Sequence, residues 1–350
     1  MTTPPVPTPL QAAIVKLAHH SPLSSEDAAA AFGVIMRGEA TELQVAALLT
    51  GLRVAGESAE VVAGVVRALR KVMVQLPSEN PDELVDTCGT GGGAVTTFNI
   101  STAAALLAAG AGVRIAKHGN RSFTSRCGSA DVLEALGVKL EVPVAIMAAA
   151  LERAGIAFMY APLMHPAMRH VGPVRRELAI PTVMNVVGPL ANPAGARRQV
   201  VGVADAQRIP ILAGALLELG SLHSLVVHGE PGLDEISPLG PTMVVEVRDG
   251  RTFEWTIEPE EFGYKGLSPL DLAGGDSAVN ARIITESLTS GRSKSGLAGA
   301  RAAVAMNAAA AIYVGGKVAS YSDAVAIAQE ALETGAGLAA LERLRKAYAD

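Results

Sequence analysis

Apolar positions along the chain follow two rhythms. Over residues 8–75 they recur every three to four places, as in Val45, Leu48, Leu49 and Leu52, then Val61, Val62, Val65, Val66 and Leu69. That spacing sets each group along one side of a helix. Thr41 with Gln44 three places on is a capping-box signature, Ser58 opens the next helix, and Gly56 ends the one before it. The segment predicts an antiparallel bundle of four helices and no strand. From about Asp82 short apolar runs alternate with helical ones. Strands are expected at 84–87, 113–117, 156–160, 200–204 and 222–228, and a hairpin pairs 242–247 with 253–257 around Asp249 and Gly250. Such alternation predicts an α/β domain on a mostly parallel central sheet. Helices close the chain, with Ser322 and Gly335 bracketing one of them.

Residues 165–193 break the alternation. Pro166, Pro173, Pro181, Pro189 and Pro193 leave room only for short helical pieces. A stretch of this kind suits a chain crossing between domains, where clefts form and ligands bind.

Composition narrows the class. A chain of 350 residues, 49% apolar and 18% charged, can bury a large core and is long enough for about two domains. Its 29 basic and 34 acidic residues leave a net charge of −5, and no basic tract occurs, which argues against a nucleic-acid surface. Cys88 and Cys127 offer neither a disulfide framework nor a zinc spacing, so a reduced, cytoplasmic setting is expected. The opening MTTPPVPTPLQ lacks a signal-peptide pattern, and the Ala-rich run 302–316, interrupted by Asn307, is too short to span a bilayer.

Two Gly-rich segments carry the chemistry. The first, DTCGTGGGAVTTFNIST at 86–102, places Gly89, Thr90, Gly91, Gly92 and Gly93 in a turn and Asn99, Ser101 and Thr102 where a helix would begin. Backbone N–H groups in such a turn close on an anion, and the helix N-terminus adds its positive end. Alone, it is no more than a turn leading into a helix, and it matches neither a Walker loop nor a dinucleotide fingerprint. The second, AKHGNRSFTSRCGSAD at 116–131, adds Lys117, His118, Asn120 and Arg121. Two loops and a lysine suit a ligand with several phosphates.

Asp234 and Glu235, in GEPGLDEIS, follow an apolar strand. They could be a solvated acidic turn, but the end of a strand in an α/β sheet favours Mg²⁺, which takes one or two carboxylates and completes its shell with water and phosphate. Arg175 and Arg176 could hold a carboxylate bidentately, although a surface ion pair suits at least one of them. His118 and His165 could donate to an anion. His19, His20, His170, His223 and His228 read as structural, Cys88 has no base nearby in sequence, and no Ser-His-Asp pattern stands out. The set suits group transfer driven by stabilising a leaving group.

Together DTCGTGGG, TFNIST, AKHGNR, GSADVLEALG, HPAMRHVGPVRREL, NVVGPLANPA, GLDEIS and NAAAAIYVGG, in this order, closely resemble the anthranilate phosphoribosyltransferase family. The resemblance implies a nucleoside phosphorylase/phosphoribosyltransferase-like fold. A small helical domain would take residues 1–78, completed by an insertion at about 165–193, and a large α/β domain residues 79–350. It implies transfer of phosphoribose from phosphoribosyl pyrophosphate (PRPP) to the amine of anthranilate in tryptophan biosynthesis, by a homodimer that engages neither nucleic acid nor membrane. Gly89, Gly92, Thr97, Asn99, Ser101, Thr102, Lys117 and Ser129 would hold PRPP, and Ser101, Asp234 and Glu235 would hold Mg²⁺. His118, Asn120, His165 and Arg175 would contact anthranilate, with Pro189 lining its path. Catalysis would fall to Lys117, Asp234, Glu235 and Arg175. The chain departs at Gly93, where many relatives carry Asp, at Met164, and at Ala179, where Gly is frequent. A pyrimidine nucleoside phosphorylase-like transferase and a non-catalytic nucleic-acid-binding paralogue are the rival readings.

Overall fold

Capping and one-sided burial together make the four opening helices: α1 (Pro9–Ala18), α2 (Ser25–Met36), α3 (Glu42–Ala55) and α4 (Ala59–Arg70). Thr41 and Gln44 form the expected capping box, Ser58 caps α4 through the Val61 N–H, and Gly56 ends α3 at φ 90°. Each cap contributes about 1 kcal/mol. The computed structural model describes residues 6–122, 126–291 and 296–349; the middle of the second Gly-rich segment, 123–125, lies outside them.

The α/β part runs β1 (Leu84–Gly89), α5 (Ile100–Gly110), β2 (Arg114–Gly119), α6 (Ser129–Ala135), α7 (Val144–Ala154) and β3 (Ile156–Tyr160). The crossing follows, with α8 (Ala161–Met164) and α9 (Gly172–Leu178) among 3₁₀ turns. Then come β4 (Arg198–Gly202), α10 (Ile209–Glu218), β5 (His223–Gly229) and the hairpin β6 (Thr242–Arg248) and β7 (Arg251–Ile257). The chain ends in α11 (Ser277–Ser287), α12 (Ala298–Val314), α13 (Tyr321–Thr334) and α14 (Ala336–Ala349). Most strand boundaries differ from expectation by one or two residues, and one helix start differs as well. β4 starts two residues early because Arg198 pairs with Val85 of β1, and Ser320, not Ser322, caps α13 by accepting the Asp323 N–H.

The seven strands lie in the order β3-β2-β1-β4-β5-β6-β7, parallel from β3 to β5 and antiparallel beyond. After β1 the chain builds outward to β3, then the crossing returns it to the other side of β1. The order therefore reverses between β2 and β4, and a crevice opens at the carboxyl ends of these strands.

Alternate strand residues serve two cores. Val200, Leu225, Val227 and Val244 pack with α5, α12 and α14; Val201, Val226 and Val245 pack with α10 and the four-helix bundle. Val171, Val174, Val183, Val187 and Leu190 of the crossing join the bundle's core. Among the described residues no helix is long and apolar enough to cross a membrane.

Candidate active site

The acidic turn after β5 meets the first Gly-rich loop. Asp234 Oδ2 accepts the Gly91 N–H at 2.8 Å, and Glu235 Oε1 accepts the Ser101 N–H, in the first turn of α5, at 3.0 Å. Glycine makes this approach possible: a Cβ on Gly89 would overlap the Asp234 carboxylate, and one on Gly202 the Asp234 carbonyl. Gly91 and Gly92 take φ 71° and 83°, the left-handed conformation that glycine adopts without strain. Thus the first Gly-rich segment and the end of β4, far apart in sequence, both close on the acidic turn.

Burial raises the pKa of both acids. Asp234 is held above its usual range, and Glu235 is pushed up to about 8, by burial first and then by the charge of Asp234. Two carboxylates in so dry a place call for a cation. Among the described residues no three His, Cys, Asp or Glu side chains cluster as a metal cage. The donor set of two acids fits Mg²⁺ that draws its remaining ligands from water and phosphate.

Lys117 lies beside this pair. Its Nζ donates to the Thr87 carbonyl and, at 3.3 Å, to Thr87 Oγ1, and it is only 3% exposed. Burial lowers its pKa, opposed by Asp86, Cys88 and Glu235. Asp86, fully buried, accepts the His118 N–H at 3.1 Å and the Asn192 side-chain amide at 2.7 Å, and burial lifts its pKa to about 6. Asn192 also donates to the Ala116 carbonyl, which ties the end of the crossing to β1 and β2. Sequence reasoning passed over Asp86 and Asn192. Asp86 heads the first segment and Asn192 sits in NVVGPLANPA, but only the fold brings them together.

His118 and His165 meet on the crossing side, with ring centroids 4.9 Å apart. Burial drives their pKa values down to about 3 and about 4, with His165 adding to the effect on His118. Both rings are therefore neutral at pH 7, and the Nε2 of each is buried without a hydrogen-bond partner. Arg175 on α9 is half-buried, burial lowers its pKa, and no ion pair holds it among the described residues. Arg176 is exposed. The Pro189 carbonyl accepts the Gln199 amide at 2.8 Å, which fixes the lip of this side of the crevice.

The other expected residues lie in several separate contacts. Asn99 donates to the Cys127 carbonyl at 3.0 Å and accepts from Asn280 at 2.9 Å; Asn280 in turn accepts the Gly275 N–H. Thr97 pairs with Ala273 in a β-bridge, and the buried Thr102 Oγ1 has no partner. Ser129 Oγ donates to the Asn120 carbonyl and packs against Gly119, where a Cβ would overlap it. Arg121, a cationic group of the second segment, is ion-paired with Asp131 at 2.9 Å and Glu134 at 2.8 Å. Gly93 lies against Gly232, its would-be Cβ 3.5 Å from Asp234 Oδ1. Burial raises the Cys88 thiol far above its usual range, which removes it as a nucleophile.

Known proteins match this arrangement over nearly its whole length. Residues 11–73 match the helical bundle domain of a glycosyl transferase family, and residues 81–338 match that family's a/b domain. The anthranilate phosphoribosyltransferase of Rubrobacter xylanophilus is 51% identical over 95% of this chain and 96% of its own. The crystal structure of the Thermus thermophilus anthranilate phosphoribosyltransferase superposes with a TM-score of 0.90 at 40% identity, covering 97% of this chain and 99% of that one. The Saccharomyces cerevisiae enzyme in complex with PRPP and Mg does so at 0.87 and 30% identity, covering 97% and 98%. These relatives decide against the nucleoside phosphorylase and nucleic-acid-binding readings. With both domains, the backbone and half of all residues in common, the chain belongs to the anthranilate phosphoribosyltransferase family.

Proposed function

We propose that the crevice at the ends of β1, β2 and β5 performs the family's reaction: phosphoribose moves from PRPP to the amine of anthranilate, and pyrophosphate leaves. The observation that carries this reading is the acid pair, Asp234 and Glu235, dry and held by backbone N–H groups of the Gly loop and α5. Mg²⁺ bound there would neutralise charge on the departing pyrophosphate.

The chain's own groups divide the remaining work. N–H groups of the Gly89–Gly92 turn and the start of α5, with Asn99, Ser101, Thr102 and Ser129, cradle phosphates. Thr97 fixes the loop through its bridge to Ala273. Lys117 sets a positive charge beside the leaving oxygens, in a site where low dielectric strengthens it. Arg175 orients the anthranilate carboxylate from the crossing side, while Pro189 and Asn120 shape its path. His118 and His165, kept neutral by burial, offer lone pairs to the N–H bonds of the aromatic amine. Positioning supplies much of the acceleration, since an aromatic amine is uncharged near neutrality and attacks without a strong base.

A homodimer in a reduced cytoplasm completes the reading. Cys88 and Cys127, spaced for neither a disulfide framework nor a zinc site, support the compartment, and exposed Val15, Leu43 and Val54 on α1 and α3 support a second copy there. The division into residues 1–78 with 165–193, and 79–350, is supported by the crossing's share in the bundle's core.

Anthranilate fluorescence tests the assignment. It should fall on adding PRPP with Mg²⁺, persist when either is omitted, and persist in the double variant Asp234→Asn, Glu235→Gln. Full turnover in that variant would overturn the metal assignment. No fluorescence loss with folded wild-type protein would overturn the acceptor.

A further inference from the structure

Helix α12 is lined almost wholly by small apolar side chains, yet it carries one buried polar group that the reaction above does not use. Asn307 is 3% exposed and sits among Ala303, Ala308, Ala310 and Ala311. Its side chain grips the backbone of a single residue at both its N–H and its carbonyl. Asn307 Oδ1 accepts the Ile236 N–H at 2.9 Å, and Nδ2 donates to the Ile236 carbonyl at 2.8 Å. The second amide hydrogen goes to the Ala303 carbonyl at 2.9 Å. An amide that donates twice and accepts once is satisfied, and no aspartate, serine or leucine can reproduce the pattern.

Ile236 immediately follows Glu235 and is fully buried. The acidic turn is thus pinned at both ends. Gly229 bonds to Leu233 ahead of the acids, and Asn307 holds Ile236 behind them. Glu235 and Asn307 also line one small cavity with Thr87, Cys88 and Ser101, beneath the mouth of the crevice. The helix packs against α5, whose first turn donates to Glu235. One side chain therefore sets where the acidic backbone lies relative to the phosphate loop.

We infer that Asn307 is a positioning residue for the Asp234–Glu235 pair, acting through the Ile236 backbone to fix the site that takes a divalent cation together with PRPP. The inference rests on the assignment of that pair to the cation. It makes the buried amide of α12 a support for the metal site, which leaves the anthranilate side untouched.

The test compares Asn307→Asp and Asn307→Ser with Tyr313→Phe. Tyr313 lies on the same helix and bonds Glu246 at 2.9 Å and Arg248 at 3.1 Å, away from the acids, so its loss reports damage to α12 alone. Binding of Mn²⁺ with PRPP, followed by water-proton relaxation without anthranilate, gives a readout independent of turnover. Both Asn307 variants should weaken it about tenfold. They should raise KM for PRPP by a similar factor and leave KM for anthranilate within about twofold. Tyr313→Phe should lower Tm and leave all three unchanged. If Asn307→Asp does not fold, Asn307→Ser carries the comparison. Asn307 variants that lose only Tm, or lose saturation by both substrates equally, would overturn the inference. Mn²⁺·PRPP binding that survives in the Asp234→Asn, Glu235→Gln variant would instead overturn the metal assignment, and the inference with it.

Discussion

Glu235 holds its proton at neutral pH until a cation arrives, and this has a measurable consequence. Its pKa lies near 8 in the folded protein against an ordinary 4.5. A folded state that binds the proton more tightly is favoured at low pH, so this contribution is complete below 4.5 and is lost as pH rises through about 8. His118 and His165 run the other way. Depressed to about 3 and about 4, they cost stability as pH falls from 6.5 towards those values. Cation binding must expel the Glu235 proton, so titrating Mg²⁺ and PRPP at pH 7 in buffers of different ionisation enthalpy should reveal release of about one proton. Heats that do not depend on the buffer would rule Glu235 out as the group. The acids themselves are legible in the sequence as adjacent carboxylates after an apolar run. Asp86, Asn192 and Asn307 are not, because their bonds span 106 residues in one case and 71 in the other, distances at which no local spacing has meaning.

Strand ends, rather than strands, set the shape of the crevice. β1 and β4 both finish on glycine, paired as Gly89 with Gly202, and the Asp234 backbone closes over Gly202 so tightly that no side chain fits. Gly202→Ala should therefore force backbone against backbone and lower stability by about 3 kcal/mol, the upper end of overpacking costs. Gly172→Ala at the start of α9, where a Cβ meets nothing within 4 Å, should change stability by less than about 0.5 kcal/mol. Chemical denaturation of the two variants checks the pair, and equal midpoints would refute the steric account. The strands themselves follow from the apolar runs to within two residues, and the Asp249–Gly250 turn from its composition, both residues adopting positive φ. What the runs do not contain is register. Arg198 belongs to β4 because of Val85, and a charged residue at the head of a strand carries no apolar signal.

For the assembled protein, the outer face of the bundle is where the amphipathic pattern stays incomplete. On α3, Val45, Leu48, Leu49 and Leu52 are buried, but Leu43, Ala47, Thr50 and Val54 form a second, exposed stripe at helical spacing. Leu43 is 81% and Val54 80% exposed, and Val15 on the neighbouring α1 is 54% exposed. Exposed apolar side chains of this kind support the proposed second copy on this part of the bundle. In the proposed dimer, association is separate from chemistry, since the proposed site residues Asp234, Glu235, Lys117, His118, His165 and Arg175 all belong to one chain. Leu43→Asp with Val54→Asp should consequently halve the mass seen by sedimentation equilibrium. KM for PRPP and anthranilate should stay within about twofold, because both side chains are largely exposed and not packed against the site. An unchanged mass would place the interface elsewhere. A halved mass with both KM values raised would mean that the second copy braces the crossing through α3, which packs on α9 and so lies one helix from Arg175.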